Sequence, residues 1–219
     1  MAARKIPGNN TGMKPVLRGH FHQAMFFVVV GAGFPLIFRC HNFRETVSIT
    51  IYVTCALAMF GISSLYHRIT WTPEKRLVWK KLDHAGIYLM IAGGFTPIAA
   101  LALSPESGKA LLLTIWIVTF VGILQSIFFV NLPKYVSALI YVIAGYLILP
   151  YLGEIQTNLG SYNVFLIILG GVAYSLGAIS YGLKRPVLNP KVFSYHEIFH
   201  IFVNIGAIIH FIVINSLIK

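Results

Sequence analysis

Long apolar segments dominate this sequence and limit what it can fold into. A helix that spans the hydrocarbon core of a bilayer needs about 20 mostly apolar residues, within a range of about 17–25. Seven segments meet that requirement, and polar or turn-forming residues separate them. They are 21–39, 47–66, 85–103, 110–130, 135–151, 163–182 and 197–217. The sequence therefore predicts an all-α polytopic membrane protein, a bundle of seven transmembrane helices.

The amino-acid composition agrees with a membrane protein and excludes several other classes. Apolar residues make up 57% of the 219-residue chain and charged residues only 11%, whereas a soluble domain is about 45–50% apolar and about 25% charged. Soluble enzymes and disordered tails are therefore excluded. Two cysteines, Cys40 and Cys55, cannot form the disulfide framework of a small secreted domain, and we interpret them as packed side chains.

The distribution of positive charge predicts how the chain crosses the bilayer. Lys and Arg outnumber Asp and Glu by 17 to 6, and 13 of the 17 lie in the N-terminal tail and in the loops that seven crossings place on the same side. Cytoplasmic loops collect such residues. We therefore expect a cytoplasmic N-terminal tail over residues 1–20, a seven-helix transmembrane domain over residues 21–219, and a C-terminus outside the cell.

The same charge predicts the partners and the location of the protein. Basic residues beside a bilayer attract anionic lipid headgroups, which accounts for the net charge of +11 without nucleic acid. We expect membrane lipid as the partner, and also as a candidate substrate, with no nucleic acid. We expect a multi-pass protein of the plasma membrane, that is, the cell inner membrane.

Ionisable and hydroxyl side chains gather near the ends of three predicted spans. Ser63 and His67, four residues apart, share a helix face at the end of the second span. Asp83 precedes the third span, and His196 and His200, again four apart, lie at the start of the seventh. All three ends lie on the predicted cytoplasmic side. At about 1.5 Å per residue, these groups reach one depth within about two helical turns of the interface.

Three imidazoles at one depth predict a metal centre. His67, His196 and His200 fit a three-histidine Zn²⁺ site with an open position for water. Bound zinc lowers the pKa of that water, and Asp83 is the predicted catalytic carboxylate that orients or deprotonates it. Ser63, one turn deeper than His67, is the predicted residue that holds the water or a substrate carbonyl.

Other interpretations of the same residues stay open at this stage. A lone histidine at a helix end is more often interfacial, Ser63 alone is more often a packing residue, and Asp83 alone also fits a helix N-cap. His84 competes with Asp83 and is an alternative ligand. The other histidines near segment ends, which we interpret as interfacial, are His20, His22 and His41.

Residues 196–200 also read His-Glu-Ile-Phe-His, which fits the zinc-metalloprotease pattern H-E-x-x-H with Glu197 as general base. That role is disfavoured because a third ligand from downstream is missing. His210 is the one candidate in the remaining sequence, and it lies about 15 Å further along a continuous helix. We expect His210 to be a buried, hydrogen-bonded histidine.

These motifs resemble a known family. The stretches that carry the resemblance are Ser63-x-x-x-His67, Leu82-Asp83-His84-Ala85-Gly86-Ile87-Tyr88 continuing to Phe95-Thr96-Pro97, and His196-Glu197-Ile198-Phe199-His200-Ile201-Phe202-Val203. In motif order and in the number and orientation of the spans, the sequence is similar to the hemolysin III proteins of the progestin and adiponectin receptor (PAQR) superfamily. The resemblance covers nearly the whole chain.

The resemblance implies a seven-helix fold with an intramembrane zinc held by His67, His196 and His200, with Asp83 near the metal-bound water and Ser63 beside it. Relatives in the superfamily include alkaline ceramidases, which hydrolyse a lipid amide. Haemolytic or pore-forming activity is attributed to some hemolysin III proteins, and the animal branch is described as receptors. Our leading hypothesis is a zinc hydrolase of a lipid amide or ester. The alternatives are a pore-forming cytolysin and a receptor or regulator with structural zinc.

Overall fold

Every regular element in the described part of the chain is helical, apart from one isolated β-bridge between Asn189 and Phe193. The computed structural model describes residues 15–218, so most of the predicted tail and residue 219 lie outside the described residues. The helices are α1 His20–Phe38, α2 Phe43–Arg68, α3 Pro73–Leu101, α4 Pro105–Phe128, α5 Lys134–Gly145, α6 Leu152–Leu183 and α7 Tyr195–Asn215, with a 3-10 segment Tyr146–Tyr151 between α5 and α6. The all-α prediction is confirmed.

Within residues 15–218, six helical runs are long and apolar enough to cross a membrane, and the chain is a multi-pass membrane protein. Five of these runs are the single helices α1, α2, α3, α4 and α7. The sixth is the 50-residue run Lys134–Leu183, which joins α5, the 3-10 segment and α6. The sequence predicts two spans in that run, 135–151 and 163–182. By length and hydropathy, the helical run in the structure is a single candidate span.

The run that joins α5 to α6 is not one straight helix. Gly160 has a φ of 81° and a ψ of 163°, which is not helical and breaks α6; glycine adopts such a φ readily because it has no Cβ. The chain also folds back on itself. The Tyr146 and Ser175 hydroxyl oxygens are 2.9 Å apart, and a Cβ added at Gly182 would lie 3.4 Å from the Cα of Tyr135. The segment before Gly160 is therefore an antiparallel neighbour of the segment after it.

The chain reverses at Gly160, within the break that the sequence predicts between the spans 135–151 and 163–182, although the residues on both sides of Gly160 are helical. Glu154 lies in the first turn of α6, and its carboxylate accepts a hydrogen bond from the backbone N–H of Ser104. A carboxylate at this position is favourable beside the positive end of the helix dipole. The polar residues that suggested a loop thus stabilise the start of a helix.

The third helix begins earlier than the sequence predicts. It starts at Pro73, with Thr72 as its N-cap residue and Glu74 in its first turn, and proline is tolerated at that position because its missing N–H has no helical partner there. The basic residues over 75–81 hide this part of the helix from a search for apolar length. Asp83 therefore lies inside α3, and its alternative interpretation as an N-cap is wrong.

Small residues let α4 pack closely on α3. A Cβ added at Gly108 would lie 2.3 Å from the carbonyl oxygen of Ala99, and one at Gly122 would lie 2.4 Å from the ring of Tyr88. A larger residue would therefore push the helices apart. On its other side α3 packs against α2, which also packs against α1, while α7 packs against α6 and α1. This arrangement brings the start of α1, the end of α2, Asp83 of α3 and the start of α7 to one end of the bundle.

Candidate metal centre

Two helix ends supply the predicted ligands. Ser63 and His67 are one turn apart near the end of α2, and His196 and His200 are one turn apart at the start of α7. Because an i, i+4 spacing places two side chains on the same helix face, each pair points in one direction. Both pairs point into the bundle, where all four side chains are buried.

The three predicted metal ligands lie together. Each of His67, His196 and His200 offers one ring nitrogen, and these nitrogens all lie within 4.8 Å of one another. The Nε2 atoms of His67 and His196 are 3.3 Å apart, and the ring centroids of His67 and His200 are 5.1 Å apart. The residues are 6%, 7% and 1% exposed. The three histidines that the sequence places at one depth therefore form one buried cluster.

The hydrogen bonding of this cluster is incomplete within the protein. The Nδ1 atoms of His196 and His200 are buried and have no hydrogen-bond partner among the described residues. Buried polar groups are normally paired, since an unpaired one loses its bonds to water without replacement. Unpaired polar atoms in a buried cluster are typical of sites that hold water or an ion.

Asp83 adds a carboxylate beside the histidines. Its Oδ2 atom lies 3.6 Å from Nε2 of His67, the nitrogen that also faces His196. Ser63 lines the same cavity as Asp83, His196 and His200. Both predicted catalytic residues therefore lie against the histidine cluster.

His22 also belongs to this site, and its interpretation as an interfacial residue is wrong. It lies in the first turn of α1 and is 3% exposed. Its Nδ1 atom is 2.9 Å from the Ser63 hydroxyl oxygen, and its ring stacks on that of His200, with centroids 3.8 Å apart and 11° between the planes. A signal was present in the sequence: His22 begins the first predicted span on the same side as the other site residues.

Glu197, the candidate base of the H-E-x-x-H pattern, has a structural role. It is fully buried, and one carboxylate oxygen is paired with the Arg18 guanidinium. The other oxygen accepts a hydrogen bond of 2.8 Å from the backbone N–H of Ser194. Ser194 is the N-cap of α7, and the two residues form a capping box. Glu197 thus fixes the start of the helix that carries two of the predicted ligands.

The remaining histidines of the described chain lie outside the cluster. The Nδ1 atom of His84 is 3.2 Å from the Tyr141 hydroxyl, and His84 is not in the three-residue group. The Nε2 atom of His210 lies 3.1 Å from the carbonyl oxygen of Ile167, so the hydrogen bond expected for this histidine is present. His41 is exposed. Both cysteines are free thiols.

A cavity of about 190 Å³ adjoins the cluster. One end of its wall is polar and consists of His22, Ser63, Asp83, His84, His196 and His200. The rest of the wall is mainly apolar and comes mostly from α3, α5, the 3-10 segment and α6, with smaller parts from α2 and α7; its members include Ile91, Phe95, Val142, Ile148, Leu149, Ile168 and Val172. The cavity therefore joins a polar, titratable end to an apolar interior.

Comparison with known proteins decides the family. A family model described as "Haemolysin-III related" matches residues 11–211. The chain belongs to the haemolysin-III-related family. Hemolysin-3 of Bacillus cereus is 34% identical over 165 residues, which cover 75% of this chain and 72% of that relative. The Hemolysin-3 homolog of Bacillus subtilis (strain 168) is 32% identical over 163 residues, which cover 74% of this chain and 73% of the relative.

The haemolysin-III match includes the whole candidate site. The matched residues begin before α1 and end within α7. They contain His22, Ser63, His67, Asp83, His196 and His200. The resemblance to hemolysin III proteins that the three motifs indicate is therefore confirmed along the same helices that form the cluster.

Proposed function

We propose that this haemolysin-III-related protein is a zinc-dependent hydrolase, embedded in the membrane, that cleaves an amide or ester bond of a lipid. The observation that carries the proposal is a cluster of three buried imidazoles and one carboxylate, of which His196, His200 and Asp83 line the polar end of an apolar cavity. Such a cavity suits a molecule with a polar reacting group and a long apolar chain. A membrane lipid has both.

The histidine cluster fits zinc in distance and in chemistry. Neutral imidazole binds Zn²⁺ at about 2.0–2.1 Å, and two ligands of a regular tetrahedron at that distance are about 3.3 Å apart. The Nε2 atoms of His67 and His196 are separated by 3.3 Å. His200 lies within the 4.8 Å group and completes the set. Zinc bound there would supply a Lewis acid and a water molecule of lowered pKa.

The residues of the protein have separate tasks in this proposal. The Asp83 carboxylate, 3.6 Å from His67, accepts the proton of the attacking water and passes it to the nitrogen or oxygen of the leaving group as the amide or ester bond breaks. Ser63, whose hydroxyl oxygen is 2.9 Å from Nδ1 of His22 and which lines the cavity with Asp83, positions the water or the substrate carbonyl. Burial of these groups limits the access of bulk water and strengthens their electrostatic interactions. Glu197 keeps the start of α7 in place.

The outer wall of the cavity supports entry of a lipid from the side. Leu149, Ile168 and Val172 line the cavity and are also 48%, 47% and 44% exposed on the surface of the bundle. Side chains that contact both the cavity and the surroundings form a thin wall. The hydrogen bond between Tyr146 and Ser175 joins the 3-10 segment to α6 in the same wall. A lipid acyl chain would pass between these two elements.

We propose seven crossings, with the N-terminus in the cytoplasm and the C-terminus outside. The run Lys134–Leu183 has 50 residues, and at about 1.5 Å per residue it is about 75 Å long, more than twice the hydrocarbon thickness of about 30 Å. The fold-back at Gly160 supports two crossings in that run. The excess of Lys and Arg in the N-terminal tail and in loops on its side supports the orientation.

The basic turn between α2 and α3 supports a membrane interface beside the metal centre. Trp71 and Trp79 stack there with ring centroids 4.9 Å apart, and tryptophan is enriched at membrane interfaces. Basic side chains flank them, namely Arg68, Lys75, Arg76, Lys80 and Lys81. These residues favour anionic headgroups, so membrane lipid is the proposed partner and the cytoplasmic face of the plasma membrane is the proposed location.

A second candidate, a pore-forming cytolysin, rests on the name Hemolysin-3 of the Bacillus cereus relative. A water-filled channel needs polar groups along its length, whereas the wall of this cavity beyond the histidine cluster is mainly apolar, and its polar side chains there include Tyr146, Ser175 and His210, which are hydrogen-bonded within the protein. Vesicle leakage that survives replacement of His67, His196 and His200 by alanine would favour the pore. A receptor or regulator with structural zinc, the third hypothesis, predicts bound zinc without hydrolysis.

The test of hydrolysis uses purified protein in lipid nanodiscs with two labelled substrates, a ceramide for the amide and a phosphatidylcholine for the ester. We expect the wild type to release fatty acid from at least one of them. Chelator-treated wild type should release none and Asp83→Asn at least about 100-fold less than the wild type. The control variant His41→Ala, changed at an exposed residue, should match the wild type. Bound zinc without release from either substrate contradicts the hydrolase and favours structural zinc.

A further inference from the structure

His22 contacts two members of the site from a helix that supplies none of the predicted ligands. Its Nδ1 atom is 2.9 Å from the Ser63 hydroxyl oxygen on α2, and its ring lies flat on that of His200 on α7, 3.8 Å between centroids. The ring of Phe60 meets it edge-on at 5.2 Å and 81°. The imidazole of His22 is therefore held between α2 and α7.

Packing alone does not account for a histidine at this position. The Nε2 atom of His22 is buried and has no hydrogen-bond partner in the described residues, which is unfavourable for a polar atom. An apolar ring of similar size would fill the space without leaving such an atom unpaired. A histidine differs from that ring by having a nitrogen directed at Ser63.

We propose that His22 is a positioning residue of the metal centre, in which its ring holds the plane of the His200 ring and its Nδ1 atom holds the Ser63 hydroxyl. This inference rests on the proposed zinc site and adds to it a residue that is not a ligand. Two stacked rings, here 11° from parallel and 3.8 Å apart, hold the lone pairs of their nitrogens in two separate, nearly parallel planes. They are therefore poorly placed to bind one ion, and the three-histidine group does not include His22.

Stacking of the His22 ring on the His200 ring restricts the orientation of the His200 ring plane. The terminal torsion of a histidine side chain has broad energy minima, so its neighbours have to fix the ring plane. Most metal-binding histidines are oriented by a hydrogen bond from the second ring nitrogen, but Nδ1 of His200 is buried without such a partner in the described chain. Contact with the face of the His22 ring supplies the missing constraint.

The hydrogen bond between His22 and Ser63 determines where the Ser63 hydroxyl directs its proton. Ser63 and Asp83 line the same cavity, and a carboxylate only accepts hydrogen bonds. When the single hydroxyl proton of Ser63 is donated to Asp83, His22 has to be the donor to the Ser63 oxygen, through Nδ1–H. Nε2 is then an acceptor without a proton, and an unpaired acceptor is more common in proteins than an unpaired N–H. The unpaired Nε2 agrees with this order of donors.

Two variants separate the two contacts. Asparagine at position 22 keeps a donor near the place of Nδ1 but lacks the ring, and phenylalanine keeps a ring but lacks the donor. The measurements on purified protein are the zinc Kd from competition with a chelator, and kcat and KM with the labelled substrate. We expect His22→Asn to weaken zinc binding about 10–100-fold, and His22→Phe to keep zinc binding near wild type while lowering kcat about 10–100-fold at an unchanged KM.

His20→Ala is the control on the same helix and should change neither quantity. A further variant, Ser63→Ala, tests whether His22 acts through Ser63: in that background His22→Phe should cause no further loss of kcat. Wild-type zinc affinity in His22→Asn would overturn the role of the stack, and independent, multiplying losses of kcat would overturn the link to Ser63. Equal loss of zinc affinity in both variants would leave only a packing role and also contradict the inference. A wild type that binds no zinc is a separate result, which removes the proposed metal site itself.

Discussion

The Nε2 atoms of His67 and His196 lie 3.3 Å apart, although 129 residues separate the two histidines in the chain. The contact joins the end of α2 to the start of α7, and His200 joins the same group from the next turn of α7. Asp83 of α3 lies 3.6 Å from the same His67 nitrogen. The proposed metal centre thus depends on three helices meeting at one end of the bundle.

Loss of one ligand should remove the stabilising effect of zinc. A metal at about 100 times its Kd raises the free energy of unfolding by about 2.7 kcal/mol when it binds only the folded protein. Added zinc should therefore raise the Tm of the wild type. His196→Ala should abolish the rise because only two of the three ligands remain. His41→Ala should keep it. Thermal unfolding of detergent-solubilised protein measures this, and a full zinc response in His196→Ala contradicts the ligand assignment.

Substitution of Asp83 should separate catalysis from metal binding. Asparagine has the same shape as aspartate but does not take up the proton of the attacking water, so Asp83→Asn should lower kcat about 10²–10⁴-fold. Zinc content should stay at the wild-type level because the three histidines are intact. Metal analysis and fatty-acid release on the same preparation give both values. Loss of zinc from Asp83→Asn would instead make Asp83 a ligand.

Substitution of Glu197 should reduce stability more than catalysis. Glu197→Gln leaves the Arg18 guanidinium without its charged partner, which should lower the free energy of unfolding by about 1–3 kcal/mol. The amide oxygen can still accept from Ser194. A double-mutant cycle with Arg18→Met measures the coupling between the two residues. Unchanged stability together with lost turnover would point back to the H-E-x-x-H mechanism.

Narrowing the cavity should affect the substrate and not the metal. Gly171 lines the cavity, and nothing lies within 4 Å of a Cβ added there, so a leucine has room and reduces the volume for an acyl chain. Gly171→Leu should raise KM for long-chain substrates while zinc content stays unchanged. Gly31→Leu is the matched control, since its Cβ also meets open space but Gly31 is not part of the cavity wall. Equal KM values for both variants and the wild type would exclude the cavity as the acyl-chain site.

The helical class and most of the candidate site could be predicted because their signals are local. Apolar length identifies helices, and the i, i+4 pairs Ser63/His67 and His196/His200 show which side chains share a face. The alternation of spans adds one long-range fact, the common depth of these pairs and Asp83. The common depth is enough to predict that the three helices meet at one end of the bundle, although no contact between them is known from the sequence.

Other features depend on packing or on polar helical residues and could not be predicted in the same way. The contacts of His22 with Ser63 and His200 follow from how α1 lies against α2 and α7; its position on the same side as the other site residues is a signal in the sequence but does not specify these contacts. The first turns of α3 are basic, so a search for apolar length misses them although Thr72 and Pro73 mark the start. A break between the spans 135–151 and 163–182 is predicted from the sequence, but its confinement to Gly160 depends on the backbone angles of that residue.

The central claim is a zinc ion held by His67, His196 and His200. Its most direct test is the zinc content of the purified wild-type protein, measured per polypeptide by elemental analysis beside a variant with all three histidines replaced by alanine. We expect one zinc per chain in the wild type and none in the triple variant. Wild-type protein that holds no zinc, even after incubation with excess zinc and removal of the unbound metal, would contradict the account.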